Sequence, residues 1–91
     1  IMAETKLVIR DEVGLHARPA AKFVEIARRF NCEISVAYHG RTVNAKSLLQ
    51  VLTLGAGKEA EISLQANGPD EQAALAALAR LVDQGFFEAA F

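Results

Sequence analysis

The chain has 91 residues, of which 52% are hydrophobic, 23% are charged and 7% are aromatic. This length suits one domain and is too short for two, and the composition is too apolar for a disordered chain. Ten basic and eleven acidic side chains leave a formal net charge of −1, so no overall field attracts nucleic acid or an anionic membrane surface. We therefore expect one soluble domain, residues 1–91, that binds any anion through local geometry.

No segment of the sequence predicts membrane insertion or export. Uninterrupted apolar runs such as residues 73–79 are far shorter than the roughly 20 residues of a membrane-spanning helix. The start of the chain lacks a basic stretch followed by an apolar one, and Cys32 has no second cysteine to pair with. These features predict a protein of the reducing cytoplasm. Ile1, which precedes Met2, is assigned no structural role.

Hydrophobic periodicity predicts strands and helices separated by short turns. Strands are indicated where apolar and polar residues alternate, and helices where apolar residues recur three and four positions apart. His39-Gly40 joins two alternating segments, as in a two-residue β-hairpin, and Gly55 and Gly85 end helical segments. The elements predicted in chain order are a strand at 5–10, a helix at 17–30, strands at 34–38 and 41–44, a helix at 46–54, a strand at 61–66 and a helix at 69–84.

The order β-α-β-β-α-β-α predicts a two-layer α+β domain. Its strands should be apolar on one face and covered there by the helices. Every predicted loop is short, which leaves little room for a lid or a deep pocket. The pattern therefore favours a function on an exposed surface over one in a buried active site.

The first motif with chemical meaning is Gly-Leu-His-Ala-Arg-Pro-Ala-Ala at residues 14–21, where a strand-to-helix turn meets the first helical turn. The unpaired N–H groups and the positive dipole end of a helix N-terminus favour an anion, and Arg18 adds a guanidinium. Pro19 fits a first turn because its missing N–H has no intrahelical acceptor there. Dipole and arginine also disfavour the imidazolium form of His16, so the neutral ring is available as a nucleophile for a phosphoryl group.

A lone histidine at a helix start is more often a solvated cap or loop residue than a nucleophile. The arginine and proline that follow His16 make that alternative weaker in this sequence. Spacing alone does not establish phosphoryl transfer, so both interpretations stay open at this point.

The second motif places Ser47 where a helix N-cap is expected. A capping hydroxyl that accepts a backbone N–H stabilises a helix by about 1 kcal/mol, and taken alone this structural role carries most of the weight. The functional alternative is phosphorylation, because a helix start tolerates a phosphate that adds about −2 charges. The leucines that follow, Leu48, Leu49, Leu52 and Leu54, cannot all face inward on so short a helix. We expect some of them to form an exposed apolar patch, which is typical of a docking surface.

Other candidate sites are weaker. Residues 55–58 resemble a phosphate-binding loop, but Leu52 stands where its first glycine should be and Glu59 where Ser or Thr should be. His39 lies in the predicted hairpin turn, and Cys32 has no neighbouring base in the sequence. The two histidines lack the spacing of metal ligands, so we expect neither a metal nor a cofactor.

The two motifs together carry a family resemblance. The chain resembles the histidine-containing phosphocarrier family, HPr, of the bacterial phosphoenolpyruvate-dependent phosphotransferase system. Residues 14–21 match the family's phosphohistidine signature at every position, and residues 40–55 match its serine-phosphorylation signature. The resemblance extends over about residues 6–84 and leaves out residues 1–2 and the apolar tail at 86–91.

The resemblance implies a fold and a set of functional residues. The fold is an open-faced β-sandwich, in which a four-stranded antiparallel sheet of order 1-4-2-3 carries three helices on one face. By position, His16 falls on the phosphorylated histidine, modified at Nδ1, and Arg18 on the phosphate-stabilising arginine. Ser47 falls on the regulatory serine, while Leu48 and Leu52 fall on the apolar surface that docks partners.

The resemblance also implies partners and a cellular role for a single HPr-like domain. Enzyme I would charge His16, and an enzyme IIA domain would receive the phosphoryl group for sugar uptake, so the protein is a relay rather than a stand-alone enzyme. Further implied partners are an HPr serine kinase/phosphatase and a transcriptional regulator. Two alternatives stay open: a phosphocarrier of the nitrogen-related regulatory branch, and a regulatory binding module without a relay role, against which the presence of His16 argues. A small hydrolase with His16 as base would need a second catalytic group and a pocket.

Overall fold

A computed structural model describes residues 3–9, 17–57 and 59–83. The described residues form strands and helices in the order β-α-β-β-α-β-α, which confirms the predicted order. In chain order they are β1 (Ala3–Val8), α1 (Ala17–Ala27), β2 (Glu33–Tyr38), β3 (Arg41–Asn44), α2 (Leu48–Leu52), β4 (Glu61–Asn67) and α3 (Glu71–Asp83).

The four strands form one antiparallel sheet in the order β1-β4-β2-β3. β4 pairs with β1 on one side, where Leu64 lies opposite Thr5, and with β2 on the other, where Leu64 lies opposite Val36. The hairpin β2–β3 turns at His39-Gly40, and both of these residues have the positive φ of a type I′ turn. The order 1-4-2-3 implied by the resemblance is therefore confirmed.

Residues alternate between the two faces of this sheet. On β4, Ile62, Leu64 and Ala66 are buried, whereas the residues between them are partly exposed and the two end residues are exposed. α3 packs against β1 and β4, α1 packs against α2 and α3, and α2 packs against β3. The helices cover the apolar face and leave the polar face open, so the predicted open-faced α+β sandwich is confirmed.

The core lies between the sheet and the helices. Its largest fully buried side chains are Phe23, Ile9, Ile62, Leu64, Leu78, Val36, Val51 and Val82. Phe23 comes from α1, Leu78 and Val82 come from α3, and the strands supply most of the others. None of the helices within the described residues has the length and apolar character needed to cross a membrane.

The helices near the predicted site are shorter than periodicity indicates. α1 ends at Ala27 rather than at Phe30, because the chain continues in tighter turns in which Phe30 N donates to Ala27 O at 3.4 Å. α2 spans Leu48–Leu52 rather than 46–54. The N–H of Lys46 donates to Asn44 Oδ1 at 2.9 Å, so this residue belongs to the turn before α2.

Some predictions fall on residues outside the described ranges. They are His16 with the turn at Gly14, the helix end at Gly85, the tail at 86–91, and Ile1.

Candidate functional site

The first turn of α1 contributes a cation to the candidate site. α1 begins at Ala17, the residue that follows His16 in the sequence, and Arg18 is exposed in this turn. Pro19 is buried beside it and occupies a position where a missing N–H breaks no helical hydrogen bond. No acidic residue lies in the first turn of Ala17–Ala27, so the positive end of the helix dipole is not neutralised from within the helix. The turn is suited to an anion presented from solvent.

Ser47 caps the N-terminus of α2, as the sequence predicts. Its backbone is extended, with φ −113° and ψ 111°, and its Oγ accepts a hydrogen bond from Gln50 N at 3.4 Å. The Ser47 carbonyl accepts from Val51 N at 3.0 Å, which is the first hydrogen bond of the helix. The hydroxyl of this half-buried residue therefore stabilises the helix start.

α2 exposes a group of leucines, which we call the leucine surface: Leu48, Leu49 and Leu52. Their exposed fractions are 39%, 77% and 36%, while Val51 is fully buried and Leu54 is 6% exposed. The predicted exposed patch is confirmed, and its most exposed member is Leu49, whereas the family resemblance implies Leu48 and Leu52 as docking residues. Since residues two apart lie about 200° apart around a helix, burial of Val51 turns Leu49 towards solvent.

Basic side chains connect the end of α1 to the turn before α2. Arg28 Nε donates to the Lys46 carbonyl at 3.0 Å, and Lys46 Nζ donates to the Phe30 carbonyl at 2.7 Å. The ammonium thereby binds a carbonyl just beyond the C-terminus of α1, where the helix dipole favours a cation. These two bonds hold the segment that leads into Ser47 against α1.

The structure thus brings together the two helices that carry the predicted residues. Arg18 lies in α1, Ser47 caps α2 and Leu48 and Leu52 lie within it, and the two helices pack against each other. In residues 3–9, 17–57 and 59–83, no three His, Cys, Asp or Glu side chains converge in a way that could hold a metal ion. Within the described residues, the predicted site side chains Arg18, Leu48 and Leu52 lie on the exposed surface of these two helices.

Comparison with known proteins identifies the family. A family model described as the PTS HPr component phosphorylation site matches residues 3–84. The Phosphocarrier protein HPr of Buchnera aphidicola subsp. Schizaphis graminum is 42% identical over 83 residues, which cover 91% of this chain and 98% of that protein. The chain belongs to the HPr family. It is therefore a phosphocarrier of the phosphotransferase system.

Solved HPr structures share this fold. The crystal structure of HPr-C-His from Thermoanaerobacter tengcongensis has a TM-score of 0.91 and 39% identity, with 97% of this chain and 99% of that chain covered. HPr from Bacillus anthracis has a TM-score of 0.86 and 40% identity, with 89% and 96% covered. The sheet order and the three helices are thus those of HPr.

Proposed function

We propose that this protein accepts a phosphoryl group on His16 from phospho-enzyme I and passes it to an enzyme IIA domain. The observation that carries the proposal is the start of α1 at Ala17, with the exposed Arg18 in its first turn, inside a match to a phosphorylation-site family. Free N–H groups at a helix start and a guanidinium can bind the oxygens of a phosphoryl group that is transferred to a neighbouring nucleophile.

The transfer requires one bond to form as another breaks. The lone pair of His16 Nδ1 attacks phosphorus, and the bond from phosphorus to its donor on enzyme I breaks, with its electron pair returning to the donor. Arg18 and the helix N–H groups stabilise the negative charge on the phosphoryl oxygens. Passage to enzyme IIA is the same exchange with His16 as leaving group. An exposed site suits this relay because both partners must reach the same atom.

We propose that Ser47 regulates the relay by controlling docking. The leucine surface begins at the residue after Ser47. Covering exposed leucines with a partner removes apolar surface from water, which favours binding. A phosphate on Ser47 would place about two negative charges beside Leu48 and Leu52, where a partner would have to desolvate them. Docking of enzyme I then weakens, while the helix start tolerates the charge.

We assign the protein, as one domain over residues 1–91, to sugar uptake in the bacterial cytoplasm. An HPr serine kinase/phosphatase and a transcriptional regulator are further proposed partners. The sugar-uptake and nitrogen-related branches of the phosphotransferase system differ in the enzyme IIA that accepts the phosphoryl group. Phosphorylated protein should lose its phosphoryl group faster to a sugar-specific enzyme IIA than to a nitrogen-branch enzyme IIA, and the reverse preference would move it to the regulatory branch.

The phosphorylation site is tested by exchanging each histidine in turn. The chain has two histidines, so His39→Ala in the exposed hairpin turn is a matched control for His16→Ala. With enzyme I and phosphoenolpyruvate, wild type and His39→Ala should gain one acid-labile phosphoryl group by intact mass. His16→Ala should gain none. Labelling that persists in His16→Ala would refute the assignment, and an unlabelled wild type would favour a binding module without a relay role.

The role of Arg18 is tested by Arg18→Ala, with Arg80→Ala in the last turn of α3 as the control. Loss of a charge-assisted contact to the phosphoryl group should slow transfer roughly tenfold in both directions. The thermal midpoint should stay near that of wild type, because Arg18 is exposed. Equal transfer rates for both variants and wild type would remove Arg18 from the site.

Regulation through Ser47 is tested by Ser47→Asp and Ser47→Ala. The aspartate keeps an acceptor at the N-cap, so stability should change little or rise slightly, while the KM for the carrier in transfer from enzyme I should rise. The alanine should leave KM near wild type and lower stability by about 1 kcal/mol. If Ser47→Asp is phosphorylated as readily as wild type, or fails only because it has unfolded, the serine is a helix cap alone.

A further inference from the structure

We propose that Arg41 is a positioning residue, which holds the C-terminal end of α2 and thereby fixes the leucine surface for docking. Its effect on docking rests on the proposed function, whereas its effect on α2 does not. Arg41 is the first residue of β3, an edge strand of the sheet, and its side chain is exposed.

The guanidinium of Arg41 binds one residue through two bonds. Nη1 donates to the Thr53 carbonyl at 2.6 Å, and Nη2 donates to Thr53 Oγ1 at 3.2 Å. Thr53 is the C-cap of α2, and its hydroxyl in turn donates to the Gln50 carbonyl at 2.6 Å. The guanidinium, the threonine and the last turn of the helix therefore form one connected group.

α2 needs such an anchor because it has little else to stabilise it. A helix of five residues is far below the roughly 12–15 residues at which an isolated helix becomes marginally stable. Within Leu48–Leu52 the buried side chain is Val51. The N-terminal side is held by the Ser47 cap and the Arg28–Lys46 bond, and the C-terminal side by Arg41. A cation at this end also meets the negative end of the helix dipole.

Arginine and lysine should differ at this position. The planar guanidinium presents two parallel donors, one for each oxygen of Thr53, whereas an ammonium is a compact charge on a flexible stem. Arg41→Lys should therefore keep the charge and recover only part of the anchoring. Thr53→Val removes the hydroxyl and leaves Arg41 unchanged in charge, so it separates anchoring from any direct contact between Arg41 and a partner.

The experiment compares Arg41→Gln, Arg41→Lys, Thr53→Val and the double variant Arg41→Gln/Thr53→Val. Lys6→Gln is the charge-matched control, since Lys6 is exposed on β1, whereas α2 packs against α1 and β3. Two quantities are measured: hydrogen exchange of the amides at 51–54, and KM and kcat for phosphoryl transfer from enzyme I. The thermal midpoint of each variant checks that the domain is folded.

Arg41→Gln should speed exchange in α2 about tenfold and raise KM several-fold, with kcat within about twofold of wild type. Thr53→Val should shift both quantities in the same direction by less, and Arg41→Lys should lie between Arg41→Gln and wild type. The double variant should add little to Arg41→Gln, because both changes remove one connected group. Lys6→Gln should match wild type.

Two results would overturn the proposal. If Arg41→Gln leaves hydrogen exchange in α2 unchanged, Arg41 does not hold the C-terminal end of this helix. A KM that is raised by Arg41→Gln but untouched by Thr53→Val, although Thr53→Val speeds exchange in α2, shows that Arg41 contacts the partner directly. If wild type is not phosphorylated by enzyme I, the proposed function fails, and the exchange rates still decide whether Arg41 anchors α2.

Discussion

At the scale of single residues, Gly68 shows a position that only glycine fits. It follows β4, and a Cβ built on it would lie 2.7 Å from Cys32 Cα and 3.1 Å from Asn31 O. Its φ is +147°, a conformation that L side chains rarely adopt. Asp70 completes the contact between the two loops, because its Oδ2 accepts from Asn31 N at 2.7 Å. The turn before α3 is thereby held against the turn before β2.

We expect Gly68→Ala to destabilise the domain by about 2–4 kcal/mol, because backbone atoms of Cys32 cannot move aside and the φ is strained. Gly57→Ala is the matched control. A Cβ at Gly57 would have no atom within 4 Å among the described residues, and its φ is not positive. Urea unfolding of both variants measures the difference, and equal free energies of unfolding would show that the close approach does not constrain the fold.

Cys32 should report on opening of the domain. Its side chain is buried, and burial raises the pKa of its thiol, with Lys46 acting in the opposite direction. Because the thiolate is the reactive form, alkylation of native protein should be slow and should accelerate when unfolding exposes the thiol. Cys32 is the single cysteine of the chain, so intact mass follows the reaction directly. Rapid alkylation at rates independent of denaturant would contradict this.

The raised pKa of Cys32 also gives a pH dependence with a defined sign. Between the ordinary pKa of a thiol and the raised pKa, the unfolded chain has released a proton that the folded chain still holds. The stability that the Cys32 thiol contributes is therefore fully present below the ordinary pKa of a thiol. It is lost as pH rises from that value through the raised pKa of the folded protein. Wild type should lose stability faster with alkaline pH than Cys32→Ala, as measured by urea unfolding at several pH values.

At the scale of elements, α2 combines a buried side with an exposed one on a single short helix. Val51 faces the core and is fully buried, whereas Leu49 is 77% exposed. Periodicity predicts a helix here but gives no direction, since leucines lie on most of its circumference. The direction follows from packing against α1 and β3. The apolar leucine surface therefore stays exposed to solvent, on the side of α2 that the docking proposal assigns to partners.

We expect Val51→Ala and Leu49→Ala to separate these two sides. Val51→Ala should lower the free energy of unfolding by about 2 kcal/mol, through lost burial and the cavity left behind. Leu49→Ala should change it by less than about 0.5 kcal/mol, because its side chain is mostly in solvent. Thermal or urea unfolding measures both. A larger loss for Leu49→Ala would place that side chain in the core.

At the scale of the whole molecule, the sheet order makes β4 the strand that joins β1 to the β2–β3 hairpin. β4 and β2 are the two central strands, each hydrogen-bonded on both sides, whereas β1 and β3 are edge strands. The partner residues of β1 and β4 are more than 50 positions apart along the chain, as for Val8 opposite Glu61. Stability of the sheet therefore depends on long-range pairing, while α2 is held by contacts at its two ends.

Hydrogen exchange should follow this difference. We expect the amides of β4 to exchange only through global unfolding, and those of α2 through local opening with a free energy lower by about 2 kcal/mol or more. Exchange measured at increasing urea tests this, because global opening has a steep urea dependence and local opening a shallow one. Amides of β4 that open locally, at a lower free energy than those of the edge strand β1, would be inconsistent with a sheet that is joined through β4.

The sequence by itself determined what depends on neighbouring residues. Strand and helix periodicity, the glycine of the β2–β3 turn and the capping hydroxyl of Ser47 act over a few positions, so the element types, the hairpin and the start of α2 could be predicted from pattern. The two signature motifs likewise lie within short segments, and they identified the family. Helix ends were less accurate, because side chains such as Asn44 compete for the N–H groups of the flanking turns.

Tertiary structure alone decided what depends on residues far apart in the chain. Pattern predicts strands but not their order, and the place of β4 between β1 and β2 was implied only by the family resemblance. No local pattern in the sequence predicts three features of the structure. They are the burial of Val51 with the exposure of Leu49, the hydrogen bonds from Arg41 to Thr53, and the close approach of Gly68 to Cys32. Each arises because packing the helices onto one face of the sheet brings distant segments together, and the free energy of that packing outweighs local preference.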